Sequence, residues 1–480
     1  ISTQTTGAAC EFIRNGVNGW LIPTNDTRAL QQSLRQAVSL SIAEWETMSA
    51  SAKASVAEHS LVNGVKRFEE AVREAINSSS QVARRSVPVS KLDPLPETHI
   101  VLASNYEPDH LYSMERYTRL LEHGLKAKGV TCTIMKPVTI LGNLPWVPGK
   151  VTKYLRYLDK YLFFPLALRW KLSRLPKSKS PLIHITDQGN SVYASFVRDY
   201  PVMVTCHDLI TAKPSIKPAS IGSAPQKRSW FQRVNFKSLQ RAEVVVCDSE
   251  KTKQDCEEFF DCEKPRPLLS RVYIPLDPDF MRKASAIRPS DLPASFLLHV
   301  GNSSKYKNRP GLFRIYAAIR KQMSRTPPLM VMGEALLKDE LTLIDELDLK
   351  SHIQHFTKPS DEFILQAYQH AEALIFPSLE EGFGWPVLEA MACGCPVFTS
   401  NRAPLTEVGG AAAEYFDPEN IEASARMIAD RLQNGNDWRE TRMMKGKRQV
   451  EKFSYETFVN SMIQTYANTL KSAGDPVAHS

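Results

Sequence analysis

The stretch AEALIFPSLEEGFGWPVLEAMACGCP, residues 371–396, sets the fold class of this 480-residue chain. Its apolar start predicts a buried parallel strand, and the Glu-Glu-Gly-Phe-Gly turn that follows opens a helix at Trp385. Gly382 and Gly384 let the backbone come close to a ligand, and the free N–H groups at a helix start suit an anion. The stretch therefore predicts an α/β fold with a ligand site at this turn.

Two glutamates flank the turn. Glu381 stands at its mouth, and Glu389 follows about two helical turns deeper, so both side chains can reach the same cleft. Two carboxylates beside an anion-binding helix start would repel a bare phosphate, so we expect them to accept hydrogen bonds from hydroxyl groups. A ligand that carries both phosphate and hydroxyl groups is a nucleotide sugar.

The spacing Glu381-x7-Glu389, followed by AMACGCPV at 390–397 and EVGG at 407–410, resembles the donor-site signature of glycosyltransferase family 4. Members of this family are retaining enzymes of the GT-B fold. The resemblance implies two Rossmann-like, doubly wound domains that face a cleft. The alternative is a glycine-rich turn that only packs a sheet. It is disfavoured because the glutamates, the glycines and the Gly-Cys-Pro exit coincide in one segment.

The resemblance also implies a reaction and roles for these residues. A hexose, mannose or glucose, moves from a nucleoside diphosphate sugar to a glycan or lipid-linked glycan. Glu389 binds the ribose hydroxyls and Glu381 binds hydroxyls of the transferred sugar. Lys307, together with the backbone at Phe383 and Gly384, holds the diphosphate. Bacterial polysaccharide synthesis, of O-antigen or capsule, is the implied setting.

The stretch FLLHVGNSSKYKNRPG, residues 296–311, predicts the first strand of the donor lobe, ending at Gly301, and places Lys307 over the cleft before a helix. The family has a basic residue directly after this glycine, where this chain has Asn302, so one positive charge is missing. Lys305 and Arg309 are the candidates to compensate for it.

We expect the enzyme to need neither a metal ion nor another cofactor. The sequence has no Asp-x-Asp motif suitably placed after a strand. The charge of the leaving group would then be carried by Lys307 and by the helix start at Gly384.

An earlier lobe is predicted by strand-like runs that alternate with helical stretches, at 99–104, 132–137, 182–186, 202–208 and 243–249. Ligands bind such sheets at the carboxyl ends of the strands, where Asp187, His207 and Asp208 stand. In the family a histidine at the place of His207 faces the transferred sugar, although a lone histidine is more often structural. The loop at 105–113 lacks Gly-x-Gly-x-x-Gly, which argues against a dinucleotide dehydrogenase.

The first residues repeat the end of the chain at an offset of 393 to 396: Glu11-Phe12-Ile13 aligns with 407–409, and Trp45 with Trp438. Together with the strand-like runs and the family resemblance, this repeat predicts five parts. They are a C-terminal remnant of a preceding transferase copy (1–80), a linker (81–96), an acceptor domain (97–290), a donor domain (291–455), and a helix that crosses back to the acceptor domain with a tail (456–480).

Residues 150–179 hold nine Lys or Arg against one acid, with six aromatic side chains among them. Such a segment can lie on an anionic membrane. A core-facing helix with a solvated lysine face is favoured instead, because Pro165 should interrupt any long helix.

Composition excludes several classes of protein. The net charge of +8 is modest for this length, and we expect no nucleic-acid partner. No apolar run approaches the ~18 residues of a membrane span. The eight cysteines lack metal-ligand spacing, which is typical of buried thiols in a reducing compartment. We therefore expect a cytoplasmic protein, with peripheral contact at the inner membrane through residues 150–179 as a further expectation.

Two rival functions stay open. A sugar-nucleotide epimerase could share the fold and the ligand, but would need no acceptor. An inactive nucleotide-sugar-binding or scaffold lobe would fit the change to Asn302, whereas the presence of His207, Lys307, Glu381 and Glu389 together argues for an enzyme.

Overall fold

The computed structural model describes residues 2–3, 13–23, 26–57, 98–142, 144, 149–175, 181–210, 212, 230–260, 266–282, 288–433 and 435–474. The chain forms two compact units, Ile1–Lys91 and Leu92–Ser480. The predicted linker at 81–96, and Glu11-Phe12 of the predicted repeat, lie outside the described residues.

The first unit contains a short parallel pair of strands followed by two helices. Its elements are β1 (Ser2–Thr3), β2 (Leu21–Ile22), α1 (Thr27–Ser39) and α2 (Ile42–Ala57). Asp26 caps α1 by accepting a hydrogen bond from the N–H of Ala29 at 2.9 Å. Apolar side chains of α1 remain exposed at Leu30, Leu34 and Val38, one helical turn apart. This face of α1 has no apolar cover among the described residues.

The second unit begins with an N-terminal lobe, residues 98–282, built on a parallel six-stranded sheet in the order β4-β3-β5-β6-β7-β8. Its strands are β3 (His99–Ala103), β4 (Cys132–Met135), β5 (Pro181–Ile185), β6 (Val202–Cys206), β7 (Val244–Cys247) and β8 (Leu268–Arg271). Its helices are α3 (Tyr112–Ala127), α4 (Gly149–Leu158), α5 (Phe164–Leu172), α6 (Trp230–Leu239), α7 (Glu250–Phe259) and α8 (Pro278–Arg282).

A C-terminal lobe, residues 288–453, has a second parallel sheet in the order β11-β10-β9-β12-β13-β14. Its strands are β9 (Leu297–Gly301), β10 (Leu329–Gly333), β11 (Ile353–Thr357), β12 (Ala373–Phe376), β13 (Val397–Ser400) and β14 (Glu414–Phe416). Its helices are α9 (Arg309–Gln322), α10 (Lys338–Glu346), α11 (Asp361–His370), α12 (Trp385–Ala392), α13 (Leu405–Gly409), α14 (Ile421–Gln433) and α15 (Asn436–Val450).

The prediction of two doubly wound parallel sheets is confirmed. The central strands are apolar along their whole length because helices cover both faces of each sheet, as in β12 and β7, whose residues are all buried. In each sheet the order reverses beside the first strand, between β9 and β12 in one lobe and between β3 and β5 in the other. Ligands of such sheets bind at these switch points, outside the carboxyl ends of the strands.

The last helix, α16 (Tyr455–Gly474), packs against the N-terminal lobe. The Tyr466 hydroxyl lies 2.7 Å from Nδ1 of the buried His184, and the Tyr455 hydroxyl donates to the carbonyl of Leu120 at 2.7 Å. Gly124 on α3 lets Val459 approach closely, because an added Cβ there would lie 2.3 Å from a Val459 methyl carbon. The helix α16 is thus held against the N-terminal lobe.

The expectation that Pro165 interrupts a long helix is wrong. The helical path runs from α4 through a π-helical turn, Asp159–Phe163, directly into α5. The N–H of Phe164 bonds to the carbonyl of Asp159, five residues back, and Pro165 then falls in the first turn of α5. The wider π turn gives the proline ring room, and a proline at that place forfeits no helical hydrogen bond of α5.

Candidate active site

Lys307 is placed by a short sequence of turn-forming residues. It ends a 3₁₀ turn, Lys305–Lys307, and Asn308 follows in the left-handed conformation with φ 56°. The Asn308 side chain caps α9 by accepting from Gly311, while its amide donates to the carbonyl of Pro377 at 3.1 Å. The Lys-Asn-x-Pro-Gly stretch therefore fixes the lysine beside the end of β12.

The Lys307 ammonium forms an ion pair with Glu381. Its Nζ lies 2.7 and 3.0 Å from the two carboxylate oxygens, and both side chains are largely buried. The ammonium has three donors and the carboxylate about four acceptor positions, so each retains capacity for a ligand. The pair neutralises the carboxylate that would otherwise repel a phosphate.

The glycines of the central turn bring the two lobes into contact. A Cβ on Gly382 would lie 2.3 Å from the carbonyl oxygen of His207, in the other lobe. Gly384 caps α12 with φ 104°, and a Cβ there would lie 2.6 Å from Leu405. The Gly382 carbonyl also accepts from the Ser249 hydroxyl at 2.8 Å. Close approach and positive φ explain why glycine stands at both positions.

Glu389 is held by an arginine from the N-terminal lobe. Nη1 of Arg116, on α3, lies 2.7 Å from Oε1 of Glu389, and its Nε lies 2.8 Å from Asp277. The guanidinium stacks over the Trp385 ring at 4.7 Å, and the Tyr368 hydroxyl lies 3.4 Å from Oε2 of Glu389. Burial opposes the charge of Arg116, but the two carboxylates raise its pKa. This charged group bridges the two lobes.

The His207 ring faces into its own lobe. Nδ1 lies 3.1 Å from Asp248 and Nε2 lies 3.0 Å from the carbonyl of Thr186, so two acceptors call for two donors and a charged imidazolium. Burial opposes that charge, but the hydrogen bond to Asp248 and its negative charge raise the pKa of His207. Burial raises the pKa of Asp248 to about 7. The carbonyl of His207, not its ring, faces the Gly382 turn.

The remaining predicted residues lie on the same edges of the sheets. Asp187, after β5, is buried and accepts from the N–H of Gly189 at 2.7 Å and from Asn105 at 2.8 Å. Asp208 accepts from the N–H of Ile210 at 2.9 Å, and burial raises its pKa. Asn302 follows β9 and accepts from the N–H of Ser304 at 3.1 Å. Asp187 thus organises the loop after β5, and Asn302 organises a turn.

Arg309 does not supply the charge that is missing at Asn302. It is completely buried and pairs with Glu340 at 2.6 and 2.8 Å, and it also donates to two backbone carbonyls. Lys305 is exposed. Within the described part of the chain, no group of three or more His, Cys, Asp or Glu is arranged to bind a metal ion.

Sequence reasoning missed three residues of this site. Arg116 had no local signal, because it lies on an ordinary amphipathic helix. Asp248 had one, since it directly follows the buried strand β7 at the same edge as His207. Glu407 lies in the EVGG run at 407–410, and the sequence predicted no function for its side chain. Its carboxylate accepts from the N–H groups of Glu250 and Lys251 at 2.8 and 2.9 Å, which caps α7 from the opposite lobe.

Three comparisons place this architecture among known proteins. Residues 281–449 match the family described as Glycosyl transferases group 1. O-antigen chain mannosyltransferase B of Escherichia coli is 26% identical over 287 residues, which cover 57% of this chain and 74% of that protein. Serotype-specific mannosyltransferase WbdA of E. coli is 25% identical over 283 residues, 57% of this chain but 34% of that protein. The chain thus spans only about a third of the length of WbdA.

Solved structures share the two-lobed fold. Sucrose-phosphate synthase from Thermosynechococcus elongatus superposes with a TM-score of 0.60 at 18% identity, covering 78% of this chain and 100% of that one. Anabaena Alr3699/HepE in complex with UDP and glucose gives 0.55 at 17% identity, with the same coverage. Residues 281–449 therefore resemble the glycosyl transferases group 1 domain, and the two-lobed unit has the GT-B fold.

Proposed function

We propose that this protein is a glycosyltransferase of family 4, which moves a hexose from a nucleoside diphosphate sugar to a glycan or lipid-linked glycan. The observation that carries this proposal is the convergence of Lys307, Glu381, Glu389 and the His207 carbonyl at the carboxyl edges of two facing sheets. The donor groups lie at the switch point between β9 and β12, where such folds bind nucleotides.

Each polar group has a distinct task in this proposal. Glu389 accepts from the ribose hydroxyls with the acceptor positions that Arg116 and Tyr368 leave open. Glu381 accepts from hydroxyls of the transferred sugar. Lys307 turns its remaining donor to the diphosphate, beside the start of α12 at Gly384, and stabilises the charge that develops on the leaving group.

His207 acts through its backbone carbonyl. Because Asp248 and Thr186 occupy both ring nitrogens, the imidazole neither accepts a proton from the acceptor nor faces the cleft. The carbonyl oxygen at Gly382 instead orients the sugar and places a negative dipole end near the oxocarbenium-like centre. The departing phosphate oxygen then helps to deprotonate the acceptor hydroxyl on the same face, so the anomeric configuration is retained.

The relatives favour mannose as the sugar. Both E. coli relatives are named mannosyltransferases, and one is named for the O-antigen chain, which supports transfer from GDP-mannose in bacterial polysaccharide synthesis. UDP-glucose is the second candidate, because a structural neighbour was solved with UDP and glucose. We propose that transfer proceeds without a metal ion, with Lys307 and the α12 start carrying the charge.

We further propose that the first unit derives from a preceding transferase copy. Its α1 begins at Thr27 and α14 at Ile421, 394 residues apart, and α2 and α15 begin at Ile42 and Asn436 with the same spacing. The exposed apolar face of α1 corresponds to the face that α14 buries, since Leu34 aligns with the buried Ile428 at the same spacing. This unit has no catalytic role in the proposal.

Peripheral contact of a cytoplasmic enzyme with an anionic membrane is proposed for the helical path 149–172. Every fourth residue along it is an exposed apolar side chain, and Tyr154, Leu166 and Trp170 are 72%, 51% and 53% exposed. The stripe also includes Leu158 and Leu162, and basic residues flank it. None of the helices in the described ranges is both long and apolar enough to span a bilayer.

A vesicle assay tests the membrane contact. Cosedimentation with phosphatidylglycerol vesicles should be strong for the wild type and weak for Tyr154→Ser/Leu166→Ser/Trp170→Ser. Neutral vesicles should bind less of the wild type. Equal recovery of both proteins on anionic vesicles would remove this surface from the proposal.

A transfer assay tests the function itself. The full chain is incubated with GDP-mannose or UDP-glucose and bacterial lipid-linked glycans, with and without EDTA, and product glycan and released nucleoside diphosphate are measured. We expect acceptor-dependent transfer that EDTA leaves intact. An isomerised sugar without acceptor would establish the epimerase, and nucleotide binding without turnover would establish the inactive lobe.

A further inference from the structure

We propose that Arg116 is a further specificity-determining residue of the donor site, which recognises the ribose of the nucleotide together with Glu389. The proposal rests on the transferase function above, because it concerns the same nucleoside diphosphate. The observation that carries it is an unused donor: Nη2 of Arg116 is buried and has no hydrogen-bond partner among the described residues. Buried donors are nearly always paired, so this nitrogen fits an acceptor that a ligand supplies.

The guanidinium of Arg116 is held in one orientation. Its Nε donates to Asp277 at 2.8 Å, and its Nη1 donates to Glu389 at 2.7 Å. Its Cζ lies 4.7 Å from the centroid of the Trp385 ring and 5.4 Å from that of Phe280. Because the guanidinium is planar, these contacts also fix the position of its third nitrogen. Nη2 is therefore placed before a ligand binds.

Glu389 has matching capacity on the other side of the ion pair. Its side chain is only 8% exposed, Oε1 accepts from Arg116, and Oε2 lies 3.4 Å from the Tyr368 hydroxyl. Each carboxylate oxygen has about two acceptor positions, so about one on each oxygen stays open. Because the ion pair joins the two side chains, open acceptors on Glu389 lie next to an open donor on Arg116.

A sugar hydroxyl is a group that satisfies both side chains. A carboxylate only accepts and a guanidinium only donates, whereas one hydroxyl can donate to Glu389 and accept from Nη2 of Arg116. A fully ionised phosphate oxygen or a base carbonyl has no proton to donate to Glu389. Ribose offers two neighbouring hydroxyls, and a deoxyribose would leave buried polar groups unpaired. The pair therefore suits ribonucleotides and should reject deoxyribonucleotides.

This recognition involves both lobes. Arg116 lies on α3 of the N-terminal lobe, and Glu389 lies on α12 of the C-terminal lobe. Asp277, the second partner of Arg116, lies between β8 and α8. The two sides of the ribose contact are thus supplied by different lobes. The N-terminal lobe therefore takes part in the choice of the donor.

Calorimetric titration of the full chain with GDP and UDP, and with the 2′-deoxy and 3′-deoxy forms of the nucleotide that binds, tests the proposal. The wild type should bind the ribonucleotide about tenfold or more tighter than at least one deoxy form. Arg116→Lys retains a cation but loses the planar fork. It should weaken ribonucleotide binding about tenfold or more and change binding of that deoxy form little. Arg119→Lys, at an exposed position of the same helix, is the matched control and should keep the wild-type preference.

The comparison separates ribose recognition from a purely structural role. An arginine that only joins the lobes would, when changed, weaken ribonucleotides and deoxynucleotides by the same factor, and that result would overturn the proposal. The wild type gives a second test that does not depend on how the variant folds, because equal affinity for the ribonucleotide and both deoxy forms would also overturn it. If neither nucleotide binds the wild type, the proposed function fails as well, whereas binding with a ribose preference that Arg116→Lys leaves unchanged overturns this inference alone.

Discussion

The carboxyl edges of the two sheets face one cleft, but they hold their polar groups in different ways. On the N-terminal edge, His207 and Asp187 are fixed by partners from their own lobe, including Asp248 and Asn105. On the C-terminal edge, Glu381 and Glu389 are each held by a flexible cationic side chain, and one of these comes from the opposite lobe. The first edge is held by hydrogen bonds within its own lobe, and the second by two ion pairs, one of which joins the lobes.

This difference implies a division of labour. A buried hydrogen-bond network such as the one around His207 and Asp248 keeps one geometry, which suits positioning of the sugar. The Lys307–Glu381 pair leaves one ammonium donor and further carboxylate acceptor positions open, which suits a donor that carries both phosphate and hydroxyl groups. We therefore expect changes on the C-terminal edge to affect turnover and donor binding, with an added effect on stability where the Arg116–Glu389 pair joins the lobes. Changes on the N-terminal edge should affect stability and its pH dependence.

The largest expected effect is that of Lys307→Ala. Loss of the cation that faces the leaving group should raise the barrier to transfer by about 2–4 kcal/mol, measured as kcat/KM for the donor. Lys305→Ala is the control, because Lys305 is exposed two residues earlier. Thermal unfolding of both variants shows whether a lower rate reflects lost catalysis or a less stable fold, because Lys307→Ala also leaves Glu381 without its partner. A variant with the wild-type rate would remove Lys307 from its role.

Arg116→Met should lower the free energy of unfolding by ~2 kcal/mol. This is less than the 3–5 kcal/mol expected for a fully buried pair, because the Arg116 side chain is 21% exposed. The exposed Arg119, on the same helix, provides the control Arg119→Met, which should be neutral.

A double-mutant cycle of Arg116→Met with Glu389→Gln, measured by urea unfolding, tests the bridge itself. It should give a coupling energy of about 1–3 kcal/mol. Additive effects would show that the bridge between the lobes contributes nothing to stability.

Gly382→Ala tests the close contact between the two edges. Its Cβ would meet the His207 carbonyl at 2.3 Å, so the turn or the lobe contact has to shift, at a cost of about 1–3 kcal/mol and with reduced transfer. Gly446→Ala on α15 is the matched control, since its nearest neighbour would be 3.4 Å away. If both variants unfold at the same temperature as the wild type, the close contact is not required.

The smallest expected effect is a pH dependence of stability from the N-terminal edge. The pKa of His207 is raised in the folded chain, so its contribution is complete below its ordinary pKa of about 6.5 and is lost as the pH rises through the raised value. Asp248, whose pKa is raised to about 7, changes stability in the same direction. Urea unfolding should therefore give a lower stability at pH 8 than at pH 6.

Asp248→Asn tests the origin of this decline. Without the carboxylate, burial opposes the charge of His207 and only Asp187 and the Thr186 carbonyl still raise its pKa, so the decline between pH 6 and pH 8 should become smaller. The exposed Asp199, changed to Asn, should leave the decline as in the wild type. A decline of wild-type size in Asp248→Asn would show that other groups cause it.

Sequence reasoning captured the C-terminal edge because local signals define it. Gly301 ends a predicted strand, and Lys307, Glu381 and Gly384 lie in the segments that connect predicted strands to the next helices. Parallel strands bring such segments together. Arg116 could not be predicted in this way. It reaches Glu389 from 273 residues earlier in the chain, and that contact depends on how the lobes pack.

Two further differences between the sequence-based predictions and the structure have physical reasons. Asp248 was predictable on the same grounds as Asp187, since each follows a buried strand at the same edge of the sheet. The continuous helical path through Pro165 was not predictable from that proline, because a π turn carries no short sequence signature. The partners of Glu381 and Glu389 likewise depend on tertiary contacts that spacing alone does not specify.

Nucleotide binding by the full chain tests the central claim most directly. Saturation-transfer NMR against UDP, GDP and ADP and their sugar conjugates, with and without EDTA, measures it for the wild type, Glu389→Ala and the exposed control Glu422→Ala. The account predicts that one nucleotide series binds, that EDTA leaves binding intact, and that only Glu389→Ala abolishes it. Absence of binding in every series, or binding that survives in Glu389→Ala, would contradict the assignment of this cleft as the donor site.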